Sequence, residues 1–86
     1  MDLDFFEARV YGAVLDLMQR TKRNGANFDL QTVDHYKIMR LISAGVELRD
    51  FEDALEMTNL NGEIKPNHVF MFALTTASAR QEVEGI

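Results

Sequence analysis

Apolar residues recur at steps of three and four over the first part of the chain, which is the spacing of one face of an α-helix. The main stripe comprises Leu3, Phe6, Val10, Ala13, Val14 and Leu17, and a second, smaller stripe comprises Tyr11, Leu15 and Met18. Acidic residues precede these stripes, and the basic residues Arg20, Lys22 and Arg23 follow them, an order that complements the helix dipole. The pattern predicts a helix over residues 3–23.

Glycine-containing pairs, which are typical of helix ends, divide the rest of the chain. These pairs are Asn24-Gly25, Ala44-Gly45 and Asn61-Gly62. The apolar spacing between and after them predicts helices over residues 31–44, 48–60 and 66–80. Asp29 is a suitable N-cap for the second helix, and Pro66 suits the first turn of the fourth, where its missing N–H is not needed. Residues 81–86 are expected to form a frayed tail.

No segment shows the alternation of apolar and polar residues that is typical of a strand. The chain is therefore predicted to be all-α, a compact four-helix domain spanning residues 1–86 with short connections. The residues expected in its core are Phe6, Val10, Val14, Leu41, Phe51, Leu55, Phe70 and Leu74.

The composition is that of one small folded domain, with 86 residues, 47% of them hydrophobic and 27% charged. Cysteine is absent, which excludes disulfides, thiolate zinc sites and cysteine nucleophiles. No apolar run approaches the roughly 18 residues of a membrane-spanning helix, and the acidic N-terminus does not resemble a signal peptide. We therefore expect the protein in the cytoplasm, or in the host cytoplasm if its source is viral, with no membrane partner.

The sequence contains no pattern typical of catalytic or metal-binding residues. His35 and His68 lack a second histidine one helical turn away, which is the spacing that zinc sites on helices use. Ser43 and Ser78 lie outside any nucleophile-elbow motif, and no glycine-rich phosphate loop is present. We expect no metal, no cofactor and no catalytic residue, and hence no enzymatic activity.

The net charge of -5 argues against nucleic acid as a general partner, because non-specific affinity comes from neutralising phosphates. The Ala44-Gly45 turn would permit a helix-turn-helix motif, but the helix after it is mainly acidic around Arg49. Phosphate would repel that helix, so duplex DNA is not expected to bind. The basic residues Arg20, Lys22 and Arg23 either complement the helix dipole or contact a phosphate or partner.

Two sets of residues are candidates for binding a partner protein. The acids Asp50, Glu52, Asp53 and Glu56 share one side of the third helix and form either a solvated face or an acidic contact surface. The apolar residues outside the main core faces are Tyr11, Leu15, Met18, Met71 and Phe72, together with Phe5, Met39 and Met57. A domain of this size cannot cover every apolar face by itself, so these residues predict a homodimer or a protein partner.

Residues 36–74 contain a recognisable series of motifs. The run YKIMRLISAG from Tyr36 is followed by FEDAL from Phe51, TNLNG from Thr58 and NHV from Asn67. This series resembles the C-terminal helical module of DnaD-like primosome proteins and phage replisome organisers, with His68 where that family usually has tyrosine. The resemblance implies a helical module that acts in helicase loading by contacting single-stranded DNA and replication proteins. The same order of turns is similar to three-helix ubiquitin-associated domains, which also implies protein binding.

The sequence therefore favours a small, non-enzymatic protein-interaction factor of a phage or mobile element, acting in DNA replication or helicase loading. Its partner would be a host or replication protein. The alternative is an acidic inhibitor that mimics nucleic acid in the basic groove of a host defence nuclease, as anti-CRISPR proteins do. The position of the acids distinguishes the two, because a mimic spreads them in a phosphate-like row, whereas an adaptor combines an acidic rim with an apolar centre.

Overall fold

A computed structural model of the chain describes residues 3–23, 33–59 and 65–85. These residues form four α-helices, namely α1 (Phe5–Arg23), α2 (His35–Ser43), α3 (Leu48–Asn59) and α4 (Pro66–Glu84). No strand occurs within the described ranges. The prediction of an all-α four-helix domain is confirmed.

The first helix begins with a reciprocal capping box. The Asp4 N–H donates to Glu7 Oε1 at 3.1 Å, and the Glu7 N–H donates to Asp4 Oδ1 at 2.7 Å. This arrangement satisfies two of the N–H groups that a helix start leaves without a partner. The first turn of α1 is therefore held in place although the helix starts at the surface.

The second helix starts later than predicted. Asp34 is extended and is the N-cap, accepting a hydrogen bond from the Lys37 N–H at 3.1 Å. The predicted helix over residues 31–44 would have included Asp34 in its interior, whereas its carboxylate caps the helix start. Asp29 and the rest of the segment 29–32, where the helix was predicted to start, lie outside the described residues.

The connection between α2 and α3 is a Schellman turn, which explains why the chain has glycine there. The Gly45 N–H donates to the Ile42 carbonyl and the Val46 N–H donates to the Leu41 carbonyl, both at 3.0 Å. Gly45 has a φ of +99°, a conformation that side chains disfavour. Val46 and Leu41 are both buried, so the turn also contributes to the core.

Substitution of Gly45 is therefore expected to destabilise the fold. Gly45→Ala should lower the free energy of unfolding by about 1–2 kcal/mol, because a non-glycine residue is strained at positive φ. The added Cβ would also lie 2.8 Å from Gln81 Nε2. Gly12→Ala is the matched control, since a Cβ at Gly12 meets no atom within 4 Å. That change should stabilise the helix by about 0.5–1 kcal/mol. Urea unfolding measures both, and equal effects of the two changes would contradict the assignment of the turn.

The core lies where α3 packs on α4, with α1 against α2 and α3, and α2 against α4. Its buried apolar residues are Val14, Met18, Val33, Ile38, Leu41, Ile42, Val46, Phe51, Ala54, Leu55, Val69, Phe70, Ala73 and Ala77. Five of the eight predicted core residues are among them, and Val10 is partly buried against them. The largest fully buried side chains are those of Phe51 and Phe70.

Two predicted core residues, Phe6 and Leu74, lie on the surface instead, with 77% and 45% of their areas exposed. The buried residues of α1, Val14 and Met18, lie in its second half, so Phe6 extends beyond the neighbouring helices. The buried face of α4 is centred on Ala73 and Ala77, and Leu74 lies about 100° around the helix from Ala73. The apolar spacing identified the buried faces of α1 and α4 but not how far each face extends.

The fourth helix continues beyond its predicted end at Arg80. Residues 81–84 were expected to belong to a frayed tail, but they form the last turn of α4, with Gly85 as C-cap. Glu84 in this turn accepts hydrogen bonds from Arg49 of α3 at 3.1 Å and from Arg80 at 3.3 Å. This last turn was not predicted because residues 81–84 contain no helical apolar repeat. Their contact with α3 supports the helix there instead.

Candidate protein-binding surfaces

An open groove lies between α3 and α4 at the surface of the protein. It has a volume of about 360 Å³ and is lined by Asp53, Glu56, Met57 and Thr76. Asp53 and Met57 are one helical turn apart on α3, so they lie on the same side of that helix. Met57 is 49% exposed, which places apolar surface beside two carboxylates. We call these four residues the acidic groove.

The acids around this groove have no cationic partner among the residues that the structure describes. Glu52, Asp53 and Glu56 are exposed, and their side chains form no hydrogen bond or ion pair with another described residue. Some carboxylates elsewhere are neutralised within the chain, since Asp16 pairs with Arg20 at 3.0 Å and Glu47 pairs with Arg49 at 2.9 Å. The acids beside Met57 therefore carry negative charge that no described cation neutralises.

Asp50 is not part of this surface, contrary to the sequence-based prediction. Its side chain is 1% exposed, and Oδ2 accepts hydrogen bonds from the Glu47 N–H at 2.8 Å and from Arg80 Nη2 at 3.1 Å. A carboxylate at the third position of a helix can cap the N–H three residues earlier, and here that position faces the interior. Asp50 therefore joins the start of α3 to α4.

Arg80 completes this partly buried contact. Its Nη2 donates to the Gly45 carbonyl at 3.1 Å as well as to Asp50. The Arg80 side chain therefore connects α4 to both the α2–α3 turn and the start of α3. The hydrogen bond to Asp50 is the main reason why the pKa of Arg80 is raised above its ordinary value, with smaller contributions from the charges of Asp50 and Glu47 and opposition from desolvation. Arg80 is thus a charged structural residue.

The apolar candidates also divide between core and surface. Met18 is 1% exposed and belongs to the core, so it cannot contact a partner. Tyr11, Leu15 and Phe72 are partly buried against that core. Met71 alone among these five is largely exposed, at 57%. The structure therefore does not bring the five side chains together as one exposed patch, because most of them supplement the small core.

The Tyr11 hydroxyl also connects two helices, lying 2.7 Å from Nδ1 of His35 at the start of α2.

No group of histidine and acidic residues that could hold a metal ion occurs in the described parts of the chain. None of the described helices is long and apolar enough to cross a membrane.

A second surface, at the start of α1, was predicted only in part, since Phe5 was a candidate for binding a partner but Phe6 was placed in the core. Phe5 and Phe6 are 73% and 77% exposed, and their rings meet edge to face with centroids 6.4 Å apart. The Arg9 guanidinium lies 5.8 Å from the Phe5 ring centroid. We call these three residues the aromatic tip. The spacing of Asp4 and Glu7 was a signal for this surface in the sequence, because acids in a capping-box spacing mark the first turn of a helix. Phe5 and Phe6 lie in that turn.

Comparison of the chain with protein-family models, with curated proteins and with solved structures finds no match. The two surfaces are therefore interpreted from their own geometry and charge.

Proposed function

We propose that the protein is a small, non-enzymatic interaction factor that binds another protein through its acidic groove. The observation that carries this proposal is the exposed apolar side chain of Met57 between unpaired carboxylates. Protein interfaces combine an apolar centre with a polar rim, and complementary charge speeds association and selects the partner. The partner that fits has an apolar side chain flanked by lysine or arginine.

The arrangement of acids favours an adaptor over a nucleic-acid mimic. A mimic needs a row of free carboxylates, but Asp50 is buried, and Glu47 and Glu84 are paired with arginines. The unpaired acids of α3 instead surround Met57 and Thr76. An acidic rim around an apolar centre is the arrangement expected of a protein-binding site.

The setting that we propose is DNA replication or helicase loading in a phage or mobile element. The support for this setting is the sequence resemblance of residues 36–74 to the C-terminal module of DnaD-like primosome proteins. That segment includes Asp53, Glu56 and Met57, so the proposed partner is a replication protein or a host protein that controls replication.

A photo-crosslinking amino acid at position 57 tests the proposed site. In cells of the source organism, we expect the protein with this residue in place of Met57 to capture a different protein. The same residue in place of Ser78, which is exposed on α4, should not capture it. Adding Glu56→Lys should weaken binding of the isolated partner by at least about tenfold, the scale of a lost interfacial charge contact. Equal capture at both positions, or capture of nucleic acid at position 57, would contradict the proposal.

A further inference from the structure

We infer that the acidic groove also accepts the aromatic tip of a second copy of this chain, so that the protein self-associates. The inference uses the groove of the proposed function but assigns it a different occupant. It follows from two exposed surfaces of one chain that complement each other in both polarity and charge.

The aromatic tip has the properties of an anchor. Phe5 and Phe6 are both more than 70% exposed, although burial of one phenylalanine is worth roughly 1.5–3 kcal/mol. The capping box between Asp4 and Glu7 holds the first turn of α1, so the two rings are presented on ordered backbone. Little conformational entropy is then lost when they bind, which favours association.

The charges of the two surfaces are opposite. Arg9 lies against Phe5, whereas Asp53 and Glu56 lie at the groove, and none of the three forms an ion pair with a described residue. Asp4 and Glu7 keep their negative charge, but at about 100° per residue they lie on the side of α1 opposite to Phe5, Phe6 and Arg9. A tip seated in the groove would place Arg9 among carboxylates.

The apolar parts also match. The groove contains the exposed thioether of Met57, and methionine sulfur makes favourable contacts with aromatic rings. Its volume of about 360 Å³ offers room for an aromatic side chain. The two phenylalanines would therefore contact the apolar centre while Arg9 meets the rim.

The contact must join different copies. The exposure of Phe5 and Phe6 shows that the tip does not occupy the groove of its own chain. The tip and the groove are different surfaces, so two copies can bind reciprocally as a dimer, or several copies can close into a ring. A copy bound in this way would exclude the partner of the proposed function from the groove.

Sedimentation equilibrium of the purified full chain over a range of concentrations tests the inference. We expect reversible assembly that the double variant Phe5→Ser/Phe6→Ser weakens by at least about tenfold, as is common for buried aromatic anchors. Arg9→Glu and Glu56→Lys should each weaken it, and combining the two should restore it, since the combination recreates an opposite-charge pair. Val83→Ser is the matched control, because Val83 is 75% exposed on α4, outside both surfaces.

Helical circular dichroism should be unchanged in all of these variants, because none of the residues is buried. A chain that stays monomeric at every concentration would overturn the inference. Assembly that is insensitive to the tip variants, or not restored by the charge exchange, would also overturn it. If the chain is monomeric but position 57 still crosslinks a different protein, the inference fails while the proposed function stands. If position 57 captures only another copy of the chain, the proposed function fails while the inference stands.

Discussion

Phe70→Ala is expected to lower the free energy of unfolding by about 3–5 kcal/mol, whereas Phe6→Ala should change it by less than about 0.5 kcal/mol. Phe70 is fully buried, so truncation removes apolar contacts and leaves a cavity, while the side chain of Phe6 is 77% exposed. A domain of this length has a total stability of roughly 4–13 kcal/mol, so loss of Phe70 should remove a large share of it.

Urea unfolding followed by far-UV circular dichroism measures both effects. Low protein concentration is needed, because self-association would otherwise add to the apparent stability. Phe6→Ala is the natural control, since the two changes delete the same atoms. Similar losses for the two variants would show that the first turn of α1 is packed into the core.

Asp50→Ala is expected to lower the free energy of unfolding by about 2 kcal/mol, a large effect for an acid on an acidic helix. The change removes the acceptor of the Glu47 N–H and the main hydrogen-bond partner of Arg80. Loss of a cap alone costs about 1 kcal/mol, and leaving the donors around a buried acceptor without their partner adds about as much. Arg80 keeps its contacts with Glu47 and Glu84, so its charge stays compensated.

Glu52→Ala is the matched control for Asp50→Ala, since Glu52 is exposed on the same helix and has no partner within the described ranges. It should change stability by less than about 0.5 kcal/mol. Asp50→Asn should fall between the two, because the amide oxygen can still accept the Glu47 N–H. Equal stability of the two alanine variants in urea would contradict the structural role of Asp50.

The pH dependence of this contact follows from the direction of the pKa shift. The pKa of Arg80 is raised in the folded protein, chiefly by its hydrogen bond to Asp50. A raised pKa means that the stabilisation by Arg80 is fully present below the ordinary pKa of arginine and is lost only as the pH rises through the folded value. We therefore expect no loss of the Arg80 contribution in the neutral and mildly alkaline range.

The sequence alone determined the number of helices, their approximate positions and most of the core. Local physics is sufficient for these features, because a three- and four-residue apolar spacing identifies a helical face and glycine marks its end. Gly45 illustrates this, since its positive φ ends α2 where the pattern predicted. The start of α2 was misplaced because Asp29 and Asp34 are both plausible caps, and sequence does not rank them.

The tertiary structure decided which members of each candidate surface are exposed to solvent. Asp50 and Glu52 have similar chemistry on one helix, but only Asp50 points to Arg80, which is 30 residues away in sequence. Phe6 and Val14 belong to the same apolar stripe, but only Val14 lies where other helices cover it. A helical period specifies the direction of a side chain around its own axis, whereas burial depends on the neighbouring helices and how far they extend. The acidic groove and the aromatic tip therefore became visible only once the helices were packed together.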